Sequence, residues 1–336
     1  MPTPSKRSCV KVSPFKRPAA LLLPFLPAAL FAYSDCSFKL DAYESICKKA
    51  VEQGVSIDYA NRYLLDPQTK ERDAQSLRLF SPKMIKVHHA NEKRANNALV
   101  TFVPDIVKNL EQYRAAYDEA ERRFGVNREV IAAILSKETR LGRIGSSHDA
   151  FTVFNTLVRE LPADTPRNKG LHSMAERNIV ALMHYCYDKT IAPAECRFKS
   201  SYAGAVGIPQ FMPQNLYLIE SFGKGPGDLS KMEDAILSTA HFLHKNAGFD
   251  TLIDWKKFPN MPEVEEAWYN YDFANANASF AFSKGRSGHT YNCFACGKPD
   301  LAYLSDYVKK IMRYNNSSNY AVGVLRLAYD AYVNGH

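Results

Sequence analysis

Residues 126–143, VNREVIAAILSKETRLGR, carry apolar side chains at helical spacing and place one acid among them. Asn127 is the candidate N-cap, Glu129 sits in the first turn where the helix dipole favours an anion, and Gly142 follows as a stop. At about 100° per residue from Val130, Ile134 falls at about 40°, Ile131 at about 100°, Leu135 at about 140° and Glu138 at about 80°. Glu138 therefore lies in the middle of the apolar stripe, whereas Lys137 and Arg140 point elsewhere and are expected to be solvated. A carboxyl among apolar side chains has its charged form disfavoured, which raises its pKa and suits it to general acid chemistry near neutral pH. The competing reading is a glutamate paired with Arg140 or Arg143 at the helix end, with no further role.

Outward from this helix, the same periodicity recurs over residues 43–53, 102–124, 174–187, 232–245 and 318–332, and long alternating β stretches are scarce. Loops are expected where Pro, Gly and Asn cluster, at 162–170, 222–228, 275–277 and 284–288. The fold class is mostly α: an N-terminal helical portion at 33–100, then a main unit at 101–336 with a small irregular insertion at about 250–305. A chain of 336 residues, 46% hydrophobic and 23% charged, has ample material for a core, which excludes a disordered or collagen-like protein.

The formal charge of +8 is misleading, because Lys6, Arg7, Lys11, Lys16 and Arg17 all precede the first acid. Without them the balance is near neutral, and the electrostatic footprint of a nucleic-acid binder is largely missing. The five cations lead into the apolar run 19–32, AALLLPFLPAALFA, which is the layout of a secretory signal with cleavage near Ala32. The run falls short of the roughly 18 apolar residues a membrane span needs and is broken by Pro24 and Pro27. Asp35, not a small residue, precedes Cys36, so a lipid anchor is not expected, and the expected location is periplasmic or secreted. Beyond Cys9 in the leader, six cysteines remain, and proximity pairs Cys36 with Cys47, Cys186 with Cys196 and Cys293 with Cys296, among several connectivities that sequence alone admits. The CxxC at Cys293 and Cys296 lacks a second ligand pair at zinc-finger spacing, so a local disulfide is favoured over a metal or redox site.

Two further segments bear on function. In residues 200–217, SSYAGAVGIPQFMPQNLY, small residues let backbone approach closely, and Pro209 and Pro213 stiffen the turn around Gln210. Such a wall offers Ser201, Gln210 and backbone groups to a polar ligand, or simply packs on a helix. In 311–332, IMRYNNSSNYAVGVLRLAYDAY, one of Asn316, Ser317 and Ser318 caps a helix, with Tyr314 and Asn315 in the preceding loop. A tyrosine and an asparagine at a helix entrance suit sugar stacking and hydrogen bonding, and core tyrosines with satisfied hydroxyls would look the same.

Together, KETRLGR, SYAGAVGIPQFMP and RYNNSSNYA resemble, in order and spacing, motifs of the lytic murein transglycosylases of the membrane-bound B type, glycoside hydrolase family 103. The resemblance implies a lysozyme-like catalytic core. It also implies cleavage of peptidoglycan glycan strands between N-acetylmuramic acid and N-acetylglucosamine, leaving a 1,6-anhydromuramoyl end and needing no cofactor. It assigns Glu138 as the catalytic acid/base, and Ser201, Gln210, Phe211, Tyr314, Asn315 and Tyr320 as substrate-binding residues. A monomer acting on glycan strands is expected, with cell-wall synthesis or secretion machinery as candidate partners. Three departures matter. In 221–234, SFGKGPGDLSKMED, the early ligand positions of an EF-hand-type calcium loop hold Ser221, Gly223 and Gly225, so no metal site of that kind is expected. The region with the CxxC does not resemble a strand-rich subdomain, and the leader lacks a lipid-attachment cysteine. The competing functions are a catalytically inactive peptidoglycan-binding scaffold and a muramidase that uses water. Among acids near Glu138 in sequence, Asp149 and Glu160 are the candidates for a second carboxylate, and neither shows comparable burial.

Overall fold

Continuous apolar character, not a single stripe, sets the centre of the molecule. The computed structural model describes residues 35–270 and 299–335, so the leader, the cysteines at 9, 293 and 296 and the loops expected at 275–277 and 284–288 lie outside it. The chain divides into units 1–32 and 33–336, and the described residues belong to the second. They form helices α1 (Asp41–Glu52), α2 (Ile57–Leu65), α3 (Ala74–Leu79), α4 (Pro82–Val100), α5 (Val103–Gln112), α6 (Arg114–Phe124), α7 (Arg128–Thr139), α8 (Ala150–Glu160), α9 (Pro166–Asp188), α10 (Met232–Ala247), α11 (Met261–Asn270), α12 (Pro299–Ile311) and α13 (Ser318–Gly335). One two-stranded antiparallel pair, β1 (His148–Asp149) with β2 (Lys199–Ser200), and short 3-10 turns such as Pro213–Leu218 complete the regular structure of the described residues. The expected mostly α architecture is what forms.

Helix α7 is buried along every face from Glu129 to Ser136. A helix apolar all round must lie inside a protein, and α5, α6, α10 and α13 enclose this one. Ile131, Ile134 and Leu135 are wholly buried, each contributing roughly 1.5–3 kcal/mol of apolar burial. Asn127 stands at the N-cap position but does not cap with its side chain. Its amide instead accepts from the Ile253 N–H at 2.6 Å and donates to the Ile253 carbonyl at 3.3 Å, tying a distant loop to the helix start.

Three other expectations need correction. The single helix expected over 102–124 is two, broken at Tyr113, which lets α5 pack on α7 and α13 while α6 packs on α10. The loop expected to reach residue 170 ends at Thr165, because its Oγ1 accepts from the Asn168 N–H at 3.1 Å and Pro166 supplies a preset first helical residue. The insertion expected to be irregular at 250–305 is helical on both described flanks, as α11 and α12. The N-terminal helices pack against the rest of the second unit, α1 on α9, α3 on α8 and α4 on α13. Of the expected disulfides, Cys36–Cys47 and Cys186–Cys196 form, with Cα separations of 5.7 and 5.9 Å.

Candidate active site

At its C-terminal end α7 leaves the core through three consecutive left-handed residues, Arg140, Leu141 and Gly142, with φ of 50°, 58° and 80°. Two of them are not glycine, at a cost of roughly 1–2 kcal/mol each. Arg140 and Leu141 return their N–H groups to Ser136 and Leu135. Thr139 joins this end to the second sequence segment, since its Oγ1 donates to the Ile208 carbonyl at 2.9 Å and accepts from the Gly142 N–H at 3.0 Å. Both arginines that might have neutralised Glu138 are engaged elsewhere. Arg140 lies over the Phe102 ring at 4.9 Å, and Arg143 forms a bidentate pair with Asp105 at 2.6 and 2.9 Å.

Glu138 keeps an edge open to solvent, but its carboxyl is largely surrounded by protein. Burial pushes its pKa up to about 7, against opposing pulls from the Tyr320 hydroxyl and the Lys137 charge. Tyr320, buried on the first turn of α13, donates its hydroxyl to Glu138 Oε1 at 2.5 Å. That turn is capped by Ser317, whose Oγ accepts from the Tyr320 N–H at 3.1 Å. Glu138 is thus desolvated without being ion-paired, a state in which protonated and ionised forms coexist near neutrality.

The second segment folds back tightly on itself. Val206 and Phe211 exchange both backbone hydrogen bonds, at 2.8 and 3.0 Å. Gly204, at φ 80°, lies against Phe154, and a Cβ there would meet the ring at 2.3 Å. Ser201 is partly buried, and its Oγ accepts from the Ala205 N–H at 3.3 Å, so it braces the turn. Gln210 is left-handed, with φ 53°, and its Nε2 donates to the Gly207 carbonyl at 2.9 Å. Phe211 does not line an open wall. It is 2% exposed and packs against Phe242 at 5.6 Å and Tyr314 at 6.2 Å, because the tight Val206–Phe211 pairing turns its ring inward. Tyr314 stacks edge-on with Phe242 at 4.9 Å and donates its hydroxyl to the Pro209 carbonyl, joining the second and third segments. Burial, and then the nearby Glu138 charge, hold its phenol well above the ordinary value. Asn315 is exposed beside it. Glu138, Tyr314 and Tyr320 therefore come together, with Gln210 and Ser201 bracing the adjoining loop and Phe211 beneath it.

Lys137 departs from the sequence expectation. Instead of facing solvent, its ammonium lies over the Tyr320 ring at 5.0 Å and donates to Asn96 Oδ1. Asn96 carries no local signal of such a role, since only the packing of α4 on α13 brings it there.

The two acids nearest in sequence are committed elsewhere. Asp149 caps α8 through the Thr152 N–H at 2.9 Å and pairs with Arg197 at 3.1 Å, and Glu160 pairs with Arg72 at 2.7 Å. The loop of 221–234 is organised by its own side chains: the Asp234 carboxylate accepts from the Phe222 and Asp228 N–H groups, both at 2.8 Å. Among the described residues no group of three or more His, Cys, Asp or Glu gathers as a metal site. Two adjoining cavities of about 380 and 470 Å³ share Tyr185, Leu216, Ile219 and Gly227, and neither is lined by Glu138 or Tyr320.

Residues 39–329 match the family described as Transglycosylase SLT domain. The chain belongs to that family. The solved lytic transglycosylase Slt35 of Escherichia coli, in complex with calcium, superposes with a TM-score of 0.57 over 88% of this chain and 94% of that one, at 19% identity. SltB3 of Pseudomonas aeruginosa, in complex with NAG-anhNAM-pentapeptide, superposes with a TM-score of 0.55 over 86% and 78%, also at 19% identity. These likenesses establish the fold, lysozyme-like and mostly α. Membrane-bound lytic murein transglycosylase B of Escherichia coli (strain K12) is 31% identical over 148 residues, 42% of this chain, and the match spans 38% of that relative's length. No helix among the described residues is long and apolar enough to cross a membrane.

Proposed function

We propose that this SLT-domain chain is a lytic transglycosylase that cleaves peptidoglycan glycan strands between N-acetylmuramic acid and N-acetylglucosamine, with Glu138 as its single acid/base. The observation that carries the reading is the Glu138 carboxyl, desolvated, free of any guanidinium and held by the Tyr320 hydroxyl. With Oε1 occupied by Tyr320, Oε2 carries the proton. Protonated Glu138 donates to the glycosidic oxygen as the C1–O bond breaks and positive charge builds on the muramoyl ring, and the N-acetylglucosamine hydroxyl leaves. The resulting carboxylate then takes the proton from the muramoyl C6 hydroxyl, whose oxygen attacks C1 and closes the 1,6-anhydro ring. Glu138 is regenerated in its acid form and no water is consumed. One carboxyl suffices, consistent with Asp149 and Glu160 being committed to caps and ion pairs.

Tyr314 and Asn315 flank the acid, and with Gln210 and Ser201 on the adjoining loop they form the sugar-binding wall of this reading. A solved relative that holds an anhydromuramoyl peptide supports the product class. The leader 1–32 directs export to the periplasm, where the enzyme acts as a monomer on the glycan, alongside cell-wall synthesis or secretion machinery. Helices at 33–100 support the core.

Mass spectrometry of products from purified peptidoglycan tests the proposal. Anhydro-ended fragments are expected from the native chain and none from Glu138→Gln. Water-added fragments would make the chain a muramidase, and no cleavage would make it a binding protein.

A further inference from the structure

Lys137 stands next to the acid, partly buried, and meets both α4 and α13. From α4, Asn96 is 2% exposed and accepts the Lys137 ammonium on Oδ1. The Asn96 amide donates to the Asn319 carbonyl of α13 at 2.9 Å and to the Tyr269 hydroxyl of α11. Asn96 is seated against Gly323, where a Cβ would meet its amide group at 2.5 Å, so α4 and α13 approach as closely as glycine allows. Trp268 secures the other side of Asn319 through a 2.8 Å hydrogen bond to its Oδ1. Helices α4 and α13 thus meet at the ammonium borne by α7, with α11 bracing Asn96 and Asn319 behind them, and the ammonium lies 5.0 Å from the centre of the Tyr320 ring. A cation over a partly desolvated ring is attracted to the ring face and so favours one ring position among several.

We infer that Lys137 is a positioning residue: fixed by Asn96, it holds the Tyr320 ring so that the phenol meets Glu138 in a single orientation. The inference rests on the reading of Glu138 as the acid. Its charge acts through space as well as through the ring, since a cation favours the carboxylate form. Among the described residues, other charged and titratable groups face this cluster. From α13, Arg326 pairs with Glu265 at 3.3 Å and with Asp330 at 2.7 Å. From α11 come Glu265, on which the Lys137 charge also acts, and the Tyr269 phenol. From the loop before α13 comes Tyr314, which feels Glu138. Glu265 has Arg326 as a counter-ion of its own, while Tyr320 and Glu138 are the groups of the acid's contact that Lys137 meets through the ring and through its charge.

The test is the titration of Glu138 followed by carbon NMR on glutamate-labelled full-length protein without substrate, its signal assigned by its loss in Glu138→Gln. In Lys137→Met the midpoint is expected to rise by about half a pH unit or more, and the alkaline limb of the cleavage profile on glycan strands to move with it. Lys137→Arg restores both, because a guanidinium also seats on an aromatic face. Lys137→Gln, which keeps a hydrogen-bonding group for Asn96 without the charge, gives the same rise should the methionine variant fold poorly. An unchanged midpoint in a folded neutral variant overturns the inference and leaves Lys137 a partner of Glu265 or a packing residue. Cleavage that persists in Glu138→Gln overturns the acid assignment instead, and leaves the titration result standing.

Discussion

The contact of α7 with α13 and the corner where α1 and α2 meet α9 are both helix packings, held together by different means. At the corner, Cys36–Cys47 and Cys186–Cys196 close loops of 11 and 10 residues, Tyr59 meets Tyr187 at 5.2 Å, and Lys49 pairs with Glu176 at 2.5 Å. At the α7–α13 contact a partly buried carboxyl without a counter-ion, a buried phenol and two left-handed non-glycine residues are accepted within the same few turns. Each of those features costs stability. Covalent closure lowers the entropy of the unfolded chain where no chemistry is at stake. The polar contact uses stability to hold one proton donor ready.

The largest separation between the two regions is expected in rate. Glu138→Gln should lower glycan cleavage by about 10²–10⁴-fold or more, read as anhydro product released per hour, with the circular dichroism spectrum unchanged. Removing the corner staple by Cys186→Ala with Cys196→Ala should do the reverse. Closing a loop of this size contributes about 3 kcal/mol in the loop-entropy account, so the unfolding midpoint falls while turnover per folded molecule holds. A fall in both would mean that the corner also shapes the site.

A third experiment turns on the sign of the Glu138 shift. Its folded pKa of about 7 lies above the ordinary 4.5, so the native state favours the protonated form. That preference is fully present below about pH 4.5 and is lost as pH rises through about 7. Glu138→Gln should therefore be more stable than the native chain at pH 8, by about 1–3 kcal/mol given the partly open carboxyl, and nearly equal to it at pH 4. Denaturant titrations at the two pH values read the difference, and equal stability at pH 8 would show a solvated carboxylate. The smallest effect is expected from Tyr320→Phe. Loss of a hydrogen bond that favours the anion raises the Glu138 pKa, so the alkaline limb of the pH–rate profile should shift upward with the fold intact.

Much of this site is legible before any coordinates. Glu138 is marked by one acid in a run of Ile, Leu and Val, and the cap of α13 is narrowed to Asn316, Ser317 or Ser318 ahead of an amphipathic helix. What eluded the sequence reading shares one cause. Lys137 looks solvated on a helical wheel because the wheel takes only one face of α7 as buried, whereas α7 is enclosed all round. Phe211 looks like a cleft residue until the Val206–Phe211 pairing directs its ring inward. The break at Tyr113 answers to two different packing partners, a distinction that periodicity does not carry.

The amino-acid order by itself determined the helical class, the placement of an acid where water is scarce, and two cysteine pairs close enough in the chain to meet. All of these rest on interactions over a few turns, where spacing dictates which side chains share a face. Only the tertiary structure decided that a tyrosine 182 residues away would hold that acid, and that an asparagine 41 residues away would hold the neighbouring lysine. Such contacts depend on how helices cross, which the whole core settles together, and no local period encodes it.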